Sequence, residues 1–422
     1  MRRSEIRVDK TKNVNNQTVG KTATDCDVLI IGGGLVGASL ACALENTGLS
    51  VHIVEAYPYQ SDSQPSYDDR TVALSWGSRC IFEGMGLWEA MADRVEAIRT
   101  IHISDKGHFG ATRLRHEEEH VEALGYVAEN RVLGDVLYQR LQQNASVELH
   151  CPAGLTAVEQ KHDRVIATIE HNGKEKAVSA RLLVAADGVV SQVRDLLHIG
   201  SSVQDYGQTA VIANVTPGFR HNSVAYERFT DQGPIAFLPM THNRCSLVWT
   251  VPGSRADELM KLGDADFLQL LQQRFGFRLG QLHKVGKRHA YPLKLIESTQ
   301  VVRNRVVIVG NAAHSIHPVA GQGFNLALRD IAILTELIST ANDAGDSKLL
   351  QSYVEQREDD ARRVYRFTDS LVKIFSNNST ALGHLRAAGL VVVGLVPPLR
   401  HQLAKQSMGL SGRASELGRR PV

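Results

Sequence analysis

A chain of 422 residues, 43% hydrophobic and 22% charged, exceeds one ordinary core and has the balance of a soluble globular protein. Its 47 basic and 45 acidic side chains leave a net charge of +2, which gives no electrostatic case for nucleic acid. The five cysteines (Cys26, Cys42, Cys80, Cys151, Cys245) are scattered, with no C-x-x-C pair, so reduced thiols in a cytosolic compartment are expected and neither a zinc site nor a disulfide framework is.

Residues 1–24 are basic and polar without apolar periodicity, and are expected to form a flexible leader rather than a secretory signal. The next stretch organises the chain. Residues 28–31 form an apolar run of strand length, and Gly32, Gly34 and Gly37 follow at G-x-G-x-x-G spacing. Residues 38–46 continue as a helix of small and apolar side chains, Gly48 stops it, and residues 51–54 form a second strand ending in Glu55. The three glycines suit a tight turn, an open approach for a pyrophosphate, and close packing of helix on strand. The helix start offers unpaired N–H groups to phosphates, and Glu55 is placed to accept from a ribose. A lone glycine motif is weak; strand, glycines, helix, strand and acid in that order make a dinucleotide site.

Arg70 opens the run RTVALS, after which residues 78–85 and 88–92 read as two helices. Residues 98–125 read as strands and loops, with His116-Glu117-Glu118-Glu119-His120 as a solvated loop at no metal-binding spacing. Residues 132–141 are helical, and residues 147–185 alternate as a meander around His171-Asn172-Gly173. Asp187-Gly188 then makes a sharp turn at the carboxyl end of a buried strand, where α/β folds hold ligands, with Ser191 and Arg194 on the helix beyond.

Residues 208–251 hold four strand-like runs, the last two joined by a turn at Thr241-His242-Asn243-Arg244, and residues 264–275 are helical. The inner face of such a sheet is the natural substrate wall. A further strand at 306–309 ends in Gly310-Asn311, and Gly321, Gln322 and Gly323 open a long apolar helix. Free N–H groups at that helix start can stabilise developing negative charge. His314 and His317 form an H-x-x-H pair without further ligands, and Pro318 favours a turn, so no metal is expected there.

Three separated signatures therefore stand in order: GGGLVG with Glu55, ADGVVSQVR, and GNAAHSIHPVAGQGFNLALRD. Together they resemble the flavoprotein aromatic hydroxylases over about residues 25–375, and within them the hydroxylases of ubiquinone biosynthesis, through AVIANV, YERFTDQGPIAFLPM, RCSLVW and HPVAGQGFN. The resemblance implies an α/β fold in which a Rossmann-like FAD-binding domain (25–100, 126–200, 298–376) is interleaved with a mixed β-sheet substrate domain (101–125, 201–297), followed by a C-terminal helical tail (377–422). It implies FAD held by Gly32, Gly34, Gly37, Glu55, Arg70, Asp187, Gly310, Asn311 and Asn325, with Pro318, Gly321, Gln322 and Gly323 as the flavin-facing loop. It also implies NAD(P)H as reductant, O2, a phenol with a long prenyl tail, hydroxylation by way of a flavin C4a-hydroperoxide, and a place in a biosynthetic assembly. Asn311 departs from the Asp usual in the wider group. No residue declares itself the phenol's base; Tyr226, His314 and His317 are the candidates.

On residues alone, a flavin-dependent dehydrogenase or a flavin-stabilised scaffold remains open beside the hydroxylase. No run reaches the ~18 apolar residues needed to cross a bilayer. The uncharged stretch at 387–399, interrupted by Pro397 and Pro398, leaves peripheral contact with the inner face of the cell membrane as an expectation.

Overall fold

The computed structural model describes residues 24–59, 70–316, 321–375 and 380–419. The leader expected at the start thus lies outside the described residues, as do His317 and Pro318.

The strand Cys26–Ile31, apolar but for Asp27, is the centre of the first sheet, flanked in parallel by Val51–Val54 and by the end of Lys174–Ala185. Val147–His150 and Val306–Ile308 extend it in parallel on either side. Strands buried on both faces read as near-continuous apolar runs, which is why residues 28–31, 182–185 and 306–308 stood out in the sequence; Val147–His150, an edge strand reading VELH, did not, and joins this sheet instead of the meander expected for it. Helices Leu35–Ala43, Asn130–Gln143 and Gln322–Ser339 cover one face. On the other, the ribbon of Ala153–Gln160 and Val165–His171 leans over the sheet and buries Leu155, Val165 and Ile169 against Leu29 and Ile31.

The second sheet has nine strands. Its centre is Ser201–Pro217, long enough to pair with His289–Ser298, Leu282–Val285 and Arg244–Pro252. Ile235–Met240 and Val224–Phe229 follow, and then Thr100–Asp105 and Ala111–Arg115, which arrive from much earlier in the chain. Helices Gly253–Lys261 and Asp264–Phe275 close one face through Phe237, Trp249, Phe267 and Phe275. A small third sheet of Thr71–Ser75, Gly125–Glu129 and Glu96–Ile98 lies between the two large ones.

Two local expectations fail for identifiable reasons. Residues 88–92 form no α-helix, and only a 3-10 turn, Ala92–Arg94, begins at their end: Trp88 and Met91 are core anchors three residues apart, and one turn between them is all the packing requires. The acidic run is solvated at Glu117, Glu118 and His120, but it is not a free loop. It forms a 3-10 turn, His116–Glu119, on which Glu118 meets Arg400 at 2.8 Å and Glu119 meets His401 at 2.5 Å. Arg400 and His401 belong to Pro397–Ser407, the last helix. With Thr380–Leu395 it forms a bent pair, the segments Arg386–Leu395 and Pro397–Ser407 meeting at 100° across Val396. Among the described residues no single helix is long and apolar enough to cross a membrane.

Candidate active site

The carboxyl end of Cys26–Ile31 runs into the glycine loop, and each glycine does a separate job. Gly32 adopts φ +100°, and a Cβ there would stand 2.5 Å from the Ala186 carbonyl oxygen. At Gly37 a Cβ would meet the Gly32 oxygen at 1.9 Å, so helix and loop touch backbone to backbone. Gly34 has extended backbone, φ −67° and ψ −172°, and lines a cavity with Leu35 and Val36. Helix Leu35–Ala43 has no side-chain cap and no acid in its first turn, so its leading N–H groups suit an anion. Glu55 already receives the Gly33 N–H at 2.6 Å and the Tyr57 N–H at 2.9 Å, which fixes the carboxylate at the strand tip.

The other parts of the cradle come from distant segments. Asp187 Oδ2 accepts from the Val193 N–H at 3.0 Å, while Oδ1 is buried without a hydrogen-bond partner among the described residues. Burial pushes this carboxyl above the usual range, against the Ser191 hydroxyl and the Val193 N–H, which favour its charge. Gly310 packs on Val36, and the exposed Asn311 beside it borders the cavity. Arg70 borders it too, its guanidinium 5.5 Å from the centre of the Tyr291 ring and 3.3 Å from the Tyr291 hydroxyl.

Gly321 has φ +59° and ψ 31° at the start of Gln322–Ser339. Asn325, one turn on, ties that glycine to the strand Thr71–Ser75, its amide nitrogen donating to the Gly321 and Ala73 carbonyls. The sequence suggested Asn325 as a cofactor ligand; it lines the cavity, and its donors and acceptor are all engaged within the protein, which makes it a residue that positions the turn. Gln322 is buried, and Gly321 and Gly323 line the cavity.

The cavity, of about 1000 Å³, runs from Gly34 and Asn311 past the strand Thr71–Ser75 to the open face of the second sheet. There Ile103, Ile212, Ala236 and Val248 make an apolar wall, and the far end is closed by Arg386, Leu390 and Val393 of the tail. The tail helix is held there by the buried Arg386–Asp105 pair at 3.2 Å and by the Thr112 hydroxyl, which donates to the Leu390 carbonyl. Sequence reasoning missed this contribution altogether.

Of the three candidate bases, His317 lies outside the described residues, and the other two divide. Tyr226 lines the cavity and also a smaller one of about 310 Å³ with His102, Arg113 and Arg278. Burial pushes its hydroxyl pKa up, which makes it a poor acceptor of a proton. His314 is buried away from the cavity, 3.3 Å from Asp330, which also pairs with Arg357 at 2.6 Å. It is part of a buried charge network beneath the Gly310 loop. His52, Glu148 and His150 have donor atoms within 4.8 Å of one another, but they pair among themselves and with Lys176, and none lines the cavity.

A protein family described as FAD binding domain matches residues 25–368. The chain belongs to this family. Ubiquinone hydroxylase UbiL of Rhodospirillum rubrum is 37% identical over 388 residues, 91% of this chain and 89% of that protein. The 3-demethoxyubiquinol 3-hydroxylase of Escherichia coli is 32% identical over 400 residues, 91% of this chain and 98% of that one. These relatives bear out the family likeness drawn from the three motifs. Among solved structures, p-nitrophenol 4-monooxygenase PnpA of Pseudomonas putida shares the fold, with a TM-score of 0.75 over 92% of this chain and 98% of that one at 18% identity. The cradle fits the family's cofactor: a glycine loop that admits no side chain at Gly32 or Gly37, an uncapped helix start, and a buried Asp187 oxygen lacking a donor.

Proposed function

We propose that the protein is an FAD-dependent monooxygenase that hydroxylates a prenylated (methoxy)phenol of ubiquinone biosynthesis, with NAD(P)H as reductant and O2 as oxygen source. Its phrases AVIANV and HPVAGQGFN are similar to those of 2-octaprenyl-6-methoxyphenol hydroxylase, which supports a phenolic substrate with a long apolar tail. The observation that carries the reading is one continuous cavity joining the nucleotide cradle, the apolar sheet wall and the tail helices.

In this reading Gly34 and the N–H groups after it receive the pyrophosphate, Glu55 the ribose, and Arg70, Asp187 and Asn311 the remaining polar groups of FAD. The bound cofactor supplies two-electron reduction and activation of oxygen. The chain's own share is to position and to dry. Asn325 holds Gly321 so that the N–H groups opening Gln322–Ser339 face the reacting region. Ile212, Ala236 and Val248 exclude water from the ring, and Leu390 and Val393 offer the apolar tail a matching surface. The exposed Val392, Leu395 and Leu399 on the outer side of the same helices suit a peripheral contact with lipid, from which such a substrate comes.

The test is an incubation of purified, FAD-loaded protein with NADH or NADPH, 18O2 and a prenylated phenol. A product heavier by one 18O atom is expected; oxidation of the reductant without labelled product would end the reading.

A further inference from the structure

Glu227 is the carboxylate that lines the cavity among the described residues. It stands on Val224–Phe229, where Ala225 and Phe229 face the cavity with it, opposite Ile103 on one neighbouring strand and Ala236 on the other. Both neighbours are apolar and both line the cavity. Glu227 has no hydrogen-bond or ion-pair partner among the described residues, and burial pushes its carboxyl pKa up to about 7. A carboxylate set into an apolar wall without a partner costs stability unless a ligand meets it.

We propose that Glu227 receives the ring hydroxyl of the phenol: its carboxylate accepts that hydrogen bond and takes the proton while the ring is oxygenated. The proposal rests on the phenol hydroxylase reading above. In the step, the phenol O–H bond breaks and its electron pair enters the ring. An activated ring carbon then forms a C–O bond to one atom of O2, received as hydroxyl. The two electrons and two protons of the reduced flavin complete the balance: one proton is carried in the transferred hydroxyl, and the other joins the second oxygen atom, which also accepts the proton lost from that ring carbon and leaves as water. As aromaticity returns, Glu227 gives its proton back to the original ring oxygen.

Among the described residues no other charged group shifts Glu227: Arg70, which lines the same cavity, donates to the Tyr291 hydroxyl, and the cause of the Glu227 shift is burial. Asp105, at the end of the adjoining strand, pairs with Arg386 and lies 3.2 Å from His108. Arg244 pairs with Glu129. Arg228, Arg113 and Arg278 act on His102, which burial and these cations depress to about 4, on the side where Tyr226 packs against His102 and Phe275. Strand Ile235–Met240 carries no titratable side chain. The ionisation of Glu227 is therefore set by burial, and it becomes a competent acceptor as pH rises through about 7.

The test uses the full-length FAD-loaded protein, reduced anaerobically with dithionite and mixed with oxygenated buffer, so that nicotinamide does not enter. The probes are 2-prenylphenol and its O-methyl ether. The wild-type protein is expected to hydroxylate the phenol in a single turnover, with a yield rising through pH 7, and to leave the ether unchanged. Glu227→Gln is expected to slow hydroxylation roughly 100-fold and flatten the pH profile, and Glu227→Asp to restore part of both. Flavin content and melting temperature verify that each variant is folded. A Glu227→Gln protein with the wild-type rate and profile would place the proton elsewhere while leaving phenol hydroxylation intact. Turnover of the ether as fast as the phenol would likewise overturn the role. Hydroxylation of neither probe by the wild-type protein would end both the phenol reading and this one.

Discussion

Asn325 and Gly321 are joined by a hydrogen bond of 2.6 Å, from the amide nitrogen of one to the carbonyl of the other. The same nitrogen donates to the Ala73 carbonyl at 2.8 Å, while Oδ1 accepts from the Ser75 N–H at 2.8 Å and the Ser78 hydroxyl at 2.6 Å. One buried side chain thus fastens the left-handed glycine of the long helix to the strand at the middle of the cavity. The helix start, which must face the reacting region, and the small sheet that carries Arg70 are set relative to each other by these four bonds.

Asn325→Leu keeps the volume and removes every bond, leaving the Ser75 N–H, the Ser78 hydroxyl and the Ala73 and Gly321 carbonyls without this partner. We expect a loss of at least about 2 kcal/mol in the unfolding free energy of FAD-saturated protein. Urea melts measure this, and an unchanged midpoint would mean that the turn is held by packing alone.

The glycine loop separates binding from folding. Gly34 has backbone angles open to any residue and faces the cavity, so Gly34→Val should give a folded protein without flavin. Gly37→Val forces a side chain onto the Gly32 oxygen and should fail to fold. Circular dichroism and flavin absorbance after gel filtration distinguish the two. Flavin retained by Gly34→Val would remove this loop from the pyrophosphate site.

Much of this was legible in the sequence because parallel strands buried on both faces are apolar throughout and end in glycines or acids. Asp187 and Gly310 were found that way. The turn chemistry was readable too, although the positive φ of the first glycine loop falls at Gly32, while Gly34 stays extended. What stayed hidden is long-range. Nothing local announces that Glu119 meets His401 or that Asp105 meets Arg386, because a charge run reads as solvated until its partner is placed beside it. Glu227 left a trace: in the alternation Ala225, Glu227, Phe229 it is an acid at an inward position of a half-buried strand. A strand period followed one residue at a time would have marked it.

The network under the Gly310 loop predicts an acid limit. Burial opposes charge on Asp330 and Asp360, yet Arg357 and Arg329 outweigh it and hold both carboxyls below 3.8. Depressed acids contribute stability that is complete above their unfolded value and fades as pH falls through the folded one. Asp330→Asn should therefore cost about 3 kcal/mol at pH 7, and the deficit should shrink below pH ~4. Chemical denaturation at several pH values measures it; a deficit independent of pH would assign the loss to packing.

Asn311 tests the cofactor's electrostatics. Reduced flavin carries negative charge, and a carboxylate in place of this exposed amide keeps an acceptor while adding repulsion. Asn311→Asp should bind FAD and lower its two-electron potential, by on the order of 30 mV for an interaction of about 1.4 kcal/mol. Spectroelectrochemical titration of both proteins reads this directly. A raised or unmoved potential would take Asn311 away from the flavin.

The tail helices invite a test of membrane contact that spares the cavity. Truncation would strip Arg386, Leu390 and Val393 from the cavity wall and break the buried pair with Asp105, so a lost interaction with lipid would be confounded with a damaged site. Leu395 and Leu399 avoid this. They are 76% and 41% exposed, neither lines the cavity, and they flank the bend at Val396. The nearby Arg400 is held by Glu118, which fixes the orientation of that apolar edge. The double substitution Leu395→Glu with Leu399→Glu removes two insertion-competent side chains and adds two negative charges facing an anionic surface. Partition into vesicles containing anionic phospholipid should fall by on the order of ten-fold or more, with flavin content and melting temperature unchanged. Co-sedimentation of both proteins with the same vesicles decides it: equal binding would make the exposed edge a feature of packing in solution, and the lipid contact would have to be sought on another face.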